Sequence, residues 1–197
     1  MSLFIAMFSF SLAMSISPGP VNIVIVSSGA NYGVRRTFAF VSGATIGFTL
    51  LLLVIGLGLY KVVNVYPVFL QYLALVGSGF IVYMGYLIAS SRPDLKVQQQ
   101  KQPTFFQGFL LQWLNPKAWI ACLASVALFS APEGHQVFLT FSLVYFCVCY
   151  GSLFFWSVVG EKFTTVLNSD ARLRVFNQLM GGMLILTACF LVYSQFS

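Results

Sequence analysis

Acidic residues are scarce in this chain: Asp94, Glu133, Glu161 and Asp170 are all it has, and His135 is its one histidine. Charged residues of both signs make up 7% of the 197, against about 25% in a soluble domain, so solvated groups could not cover its surface. A soluble enzyme or binding module is excluded. The usual catalytic sets are missing too: there is no H-E-x-x-H, no intramembrane aspartate pair and no serine–histidine pair. His135 reads as part of a short exposed loop with no second ligand near it in sequence, so no metal is expected, and no cofactor either. Cys122, Cys147, Cys149 and Cys189 lie in apolar stretches, spaced neither like a zinc site nor like a disulfide framework. They read as inert core. The start of the chain lacks a basic n-region and an A-x-A-like site, so its first apolar run reads as retained and not as a removable signal.

What the chain has instead is 59% hydrophobic and 17% aromatic residues. A membrane span needs about 20 apolar residues, and six stretches qualify: 3–32, 37–60, 67–90, 105–131, 137–160 and 175–196. The expectation is an all-α polytopic membrane protein, residues 1–197 forming a single transmembrane domain in the lipid bilayer. Only two connections are rich in polar residues, "SRPDLKVQQQKQP" and "EKFTTVLNSDARLR". Both read as exposed loops.

The net charge of +6 would suit nucleic acid, but its placement says otherwise. Arg35 and Arg36 fall in loop one; Arg92, Lys96 and Lys101 in loop three; Lys162, Arg172 and Arg174 in loop five. Lys61 alone falls in loop two, and loop four has Glu133 and His135 without a lysine or arginine. The positive-inside rule then puts loops one, three and five in the cytoplasm and both termini outside. No nucleic-acid partner is expected.

Two of the spans carry their own breakers. Span one contains Pro18, Gly19 and Pro20 in "SISPGPVNIVIV"; span four contains Pro116 in "LNPKAWI". Proline has no N–H and its ring crowds the carbonyl four residues back, so the helix must kink or open. Both spans run to roughly 27 to 30 residues, enough at about 1.5 Å each for two half-helices apiece. The breaks fall at similar depth in segments three spans apart, and an odd number of spans reverses direction. "LVGSGF" in span three and "LMGGML" in span six echo each other. The expected architecture is six transmembrane helices as two inverted three-helix repeats, helices 1 and 4 broken, with repeat one over 1–92, repeat two over 103–197 and a cytoplasmic linker over 91–104. Breakers at matching positions of inverted halves point to a transporter's binding site.

An opened helix frees N–H groups on one side and carbonyls on the other, and neither can face lipid. The N–H groups of Val21 and Asn22 after Pro20, with the positive end of the helix dipole, suit a carboxylate. The carbonyls of residues 14–17 before Pro18 suit an ammonium. A zwitterion offers both. Lys117 lies about 12 residues, roughly 18 Å of helix, into span four, where an ammonium costs about 2.5 to 3.5 kcal/mol and should face a wet cavity or a partner. A shallower entry of span four would instead let Lys117 reach the headgroups. The candidate substrate-binding residues are Ser17, Pro18, Gly19, Pro20, Asn22, Asn115, Pro116 and Lys117; no residue is expected to be catalytic. No carboxylate lies mid-span, so an Asp or Glu proton relay has no candidate, leaving Lys117, Glu161 or the substrate itself. The remaining glycines, "GATIG" at 43–47 with Gly77, Gly79, Gly181 and Gly182, should let helices approach closely. Trp156 fits an aromatic belt, Trp113 and Trp119 fit core packing near the break, and the phenylalanines read mostly as lipid-facing bulk.

The ordered set "SPGPVN", "GANYGVRRTFAFVSGATIGF", "GSGFIVYMGY" and "NPKAW" resembles the lysine and homoserine/threonine exporters, the LysE/RhtB-type translocators, over essentially the whole chain. The resemblance implies a secondary transporter in the bacterial inner membrane that exports amino acids or their derivatives, driven by the proton gradient, with six helices, and it allows a homodimer. Family members follow Pro-Gly-Pro with two polar residues; Val21 before Asn22 departs from this and bears on the pocket. The high aliphatic and aromatic content suits a substrate with an apolar side chain. A membrane-embedded enzyme and a non-transporting scaffold are the alternatives.

Overall fold

The structure, a computed structural model, describes residues 2–59, 68–91, 102–129, 136–164, 166–167 and 169–196. Lys61, Arg92, Asp94, Lys96, Lys101, Glu133 and His135, on which the charge pattern of loops two to four rests, lie outside the described residues, as does most of the 91–104 linker. The described chain is helical: α1 (Ser2–Ile16), α2 (Pro20–Tyr32), α3 (Val34–Val54), α4 (Val68–Ala89), α5 (Phe105–Trp113), α6 (Pro116–Phe129), α7 (Gln136–Phe163) and α8 (Asp170–Phe196). A wider helical turn, Ile55–Leu59, extends α3.

Helices α3, α4, α7 and α8 are long and apolar enough to cross a membrane, and α1 with α2 passes as one span bent by 63°. The fourth apolar stretch is divided in two, and α6 (14 residues) is too short to cross alone. Both divisions fall where the prolines put them. Pro20 and Pro116 each begin a new helix, the position at which proline's missing N–H costs nothing and its fixed φ suits the helix. Thr104 starts α5 with a reciprocal cap: its hydroxyl accepts from the Gln107 N–H at 3.2 Å, and its own N–H donates to Gln107 Oε1 at 2.9 Å.

Lipid tails are as apolar as leucine, so close packing, more than the hydrophobic effect, must hold such helices together. Here α4 runs along α8, α3 along α5, and α7 along α1, α2 and α3. Glycines permit these approaches. A Cβ on Gly43 or Gly108 would strike the backbone of the facing helix, and one on Gly85 would lie 2.9 Å from the Gly181 carbonyl oxygen. Gly79 and Gly182, expected to serve the same purpose, have nothing within 4 Å of an added Cβ and face outward.

Among the described residues ten phenylalanines are exposed and five are buried, so the outward-facing reading holds for the larger group, while Phe40, Phe138 and Phe141 are among the largest fully buried side chains. Rings of Phe129, Phe141, Tyr145 and Phe48 contact in series, joining α6, α7 and α3. The outer face is apolar, with Leu186 71% exposed and Phe190 and Tyr193 beside it on α8, the pattern of a surface whose solvent is lipid. Cys122 and Cys149 are buried, but Cys147 and Cys189 are exposed and so are not core.

Candidate functional site

Between α1 and α2 the chain leaves the helix over 17–19, and between α5 and α6 over 114–115. The structure brings these two interruptions together. The Lys117 ammonium on α6 donates to the Ser17 carbonyl at 3.2 Å, the Ser17 hydroxyl at 2.8 Å and the Pro18 carbonyl at 2.9 Å. These oxygens stand at the C-terminal end of α1, the negative end of its dipole, where a cation is stabilised. Lys117 therefore has a protein partner across the break.

The other carbonyls freed by the interruption are also met. Asn22 donates its amide to the Ser15 and Ser17 carbonyls at 3.1 and 2.9 Å, and the Ser17 hydroxyl donates to the Met14 carbonyl at 3.1 Å. Trp156, read from sequence as a belt residue, sends its indole N–H to the Ile16 carbonyl at 3.2 Å. The acceptors that looked free for an incoming ammonium are thus engaged within the chain. On α6, Asn115 caps the start of the helix by accepting the Lys117 N–H at 3.1 Å, and Trp119 donates to the Trp113 carbonyl at 2.7 Å. The two tryptophans hold the second interruption together, which is a packing role.

The first turn of α2 is different. Its N-cap is Gly19, no side chain caps it, and no acidic residue lies in it, so its N–H groups and positive dipole end are open. They face a chamber of about 50 Å³, room for a few waters. Ser17, Gly19, Pro20, Asn22, Asn115 and Lys117 line it. Pro18 contributes its carbonyl to Lys117 without lining the chamber, and Pro116 is buried at the head of α6. Among the described residues that line it, none is acidic and Lys117 is the one charge.

Gln112, Phe48, Tyr145 and Cys149 also line the chamber and were not among the sequence candidates. Gln112 could have been found, as a buried amide three residues before Asn115 in an apolar span. Phe48 and Tyr145, stacked at 4.3 Å with 8° between their planes, carry no such mark. Farther along α2 is a second polar cluster. Asn31 and Asn177 exchange amide bonds at 2.7 and 2.8 Å, joining α2 to α8, and the Ser28 and Thr37 hydroxyls meet at 2.9 Å. At the corner between α2 and α3, Gly33 has φ +78° and Glu161 of α7 accepts the Val34 N–H at 3.1 Å.

Comparison with known proteins gives a consistent result. The model of the LysE type translocator family matches residues 12–195. Curated relatives include proteins named cysteine/O-acetylserine efflux protein from Escherichia coli strain K12, Shigella sonnei and Shigella flexneri. Each is 25% identical over 196 residues, covering 95% of this chain and 93% of the relative. No solved structure matches the chain.

Proposed function

The chain belongs to the LysE type translocator family, and on that premise we propose that it is a secondary exporter of amino acids or amino acid derivatives across the bacterial inner membrane. The observation that carries this reading is the chamber between the two interruptions. An uncapped helix start and a lysine ammonium border it with no acidic side chain to balance them. In surroundings of low dielectric such a chamber is completed by an anion, and a substrate carboxylate supplies one. Ser17, Pro18, Gly19, Pro20, Asn22, Asn115, Pro116 and Lys117 form the proposed site. Phe48, Ala121 and Leu153 give it an apolar wall for a side chain. The substrates for which the relatives are named, cysteine and O-acetylserine, are small zwitterions that fit this description.

The proposed architecture has α5 and α6 together as the fourth of six spans, in two inverted repeats. The packing supports it: α3 lies along α5 as α7 lies along α1, and α4 and α8, the last helix of each half, run along one another. Arg35 and Arg36 in the first turn of α3, Lys162 in the last turn of α7, and Arg172 and Arg174 near the start of α8 support cytoplasmic placement of loops one and five.

The deciding experiment is efflux from dipeptide-fed cells or loaded vesicles, screened over the amino acids beginning with cysteine and O-acetylserine. Export of at least one above the empty-vector level is expected, and its loss on adding a protonophore would support proton antiport. Sizing of detergent-solubilised protein tests the homodimer. Efficient membrane insertion with no export of any amino acid would overturn the reading, leaving an enzyme or scaffold.

A further inference from the structure

An ammonium carries three N–H donors, and at Lys117 all three are matched: the Ser17 carbonyl, the Ser17 hydroxyl and the Pro18 carbonyl lie at 3.2, 2.8 and 2.9 Å. The Ser17 hydroxyl can accept because its own hydrogen goes to the Met14 carbonyl. A substrate carboxylate can therefore pair with Lys117 only if one of these bonds is given up. The chamber beside it, about 50 Å³, is bordered by the lysine itself. The α-ammonium of an amino acid has the same three donors and would fit the same acceptors.

We propose that Lys117 is a tethered stand-in for the substrate's ammonium, closing the site between cargoes and leaving the Ser17–Pro18 cage when a substrate takes its place. The identity of the displacing ligand rests on the export reading; the cage rests on this chain's own groups. Once displaced, Lys117 remains a cation in a chamber without an acidic side chain, and the incoming carboxylate becomes its partner. An amine without a carboxylate would leave two cations unbalanced there. A carboxylate without an amine would leave the cage carbonyls unmatched. The exchange thus selects molecules that bring both charges.

The test uses full-length protein in detergent and the probe n-propylammonium, which replaces the atoms that Lys117→Ala removes. Lys117→Ala is expected to bind the probe at least about tenfold more tightly than wild type, a difference of about 1.4 kcal/mol, with neutral 1-propanol binding neither. Adding Ser17→Ala to Lys117→Ala should reduce the gain. A folded Lys117→Ala protein that binds n-propylammonium no better than wild type, or no better than 1-propanol, overturns the proposal. Should Lys117→Ala lose its melting transition, n-propylammonium present during purification is expected to restore it, and failure to do so also overturns the proposal. Amine binding without any wild-type efflux would keep the cage and remove the export reading; efflux without amine binding would do the reverse.

Discussion

Gly19 sits against the side chain that matters most to the proposed site. A Cβ there would lie 3.1 Å from Lys117 Nζ and 3.5 Å from its Cδ. Its backbone, at φ −173° and ψ 177°, is extended and open to any residue, so glycine is required for space and not for conformation. Gly19→Ala asks the flexible end of Lys117 to move by a few tenths of an ångström, whereas Gly19→Phe fills the cage. We expect Gly19→Ala to retain measurable efflux and Gly19→Phe to abolish it, with both proteins inserted at wild-type levels by immunoblot; unimpaired efflux by Gly19→Phe would separate the chamber from transport. Lys117→Ala should cost at least about tenfold in efflux, since bonds to a charged group contribute about 1.5 to 3 kcal/mol each. The residues of the interruptions were legible because each breaks a rule of membrane helices: prolines and a glycine in an apolar run, and an ammonium far from either end. Phe48, Tyr145 and Cys149 were not. On their own spans they look like any apolar position, and only the tertiary arrangement turns them toward the chamber.

At the level of helices, the same reasoning sorts glycines that carry a contact from those that do not. Gly181 of α8 faces the Gly85 carbonyl of α4, and an added Cβ would collide with it. Gly79 and Gly182 face open space. Gly181→Leu is therefore expected to destabilise the protein by about 1 to 3 kcal/mol through overpacking. Gly79→Ala and Gly182→Ala should be neutral or stabilising by up to about 1 kcal/mol, because alanine suits a helix interior better than glycine. Thermal unfolding in detergent measures both; equal effects at the two kinds of glycine would refute this assignment of the α4–α8 contact. The motifs "LVGSGF" and "LMGGML" announced that small residues occur at matching places in spans three and six. They could not say which glycine of each pair turns inward, since that depends on how each helix is rotated about its axis. Helix ends were legible at breakers, as at Pro116. They slipped where no breaker stands: α8 begins at Asp170, five residues before the apolar stretch, because polar residues continue a helix beyond the span.

Across the whole molecule, polar contacts tie the first half of the chain to the second at several points, and two of them stand at opposite ends of α2. One is Lys117 against Ser17 and Pro18; the other is the reciprocal amide pair of Asn31 and Asn177, with Asn177 fully buried. The pair fixes the far end of α2 to α8 while Lys117 holds its near end. The span interrupted at 17–19 is thus bent by 63° between α1 and α2, and α2 is held at both ends by polar contacts. Replacing Asn31 by leucine strands the Asn177 amide in a fully buried place, at a cost of about 1 to 3 kcal/mol, whereas replacing Asn177 leaves Asn31 half-buried and still donating to the Ser27 carbonyl at 2.7 Å. Replacing both removes the stranded group. Asn31→Leu and Asn177→Leu are each expected to lower the unfolding free energy, and the double variant should be less damaged than the sum of the two. Additive losses would show that the two amides do not depend on one another. If the pair also restrains α2 during transport, the double variant will change the efflux rate while leaving the apparent affinity for substrate at the Lys117 chamber unaltered. A parallel shift in both would locate the effect in the chamber instead.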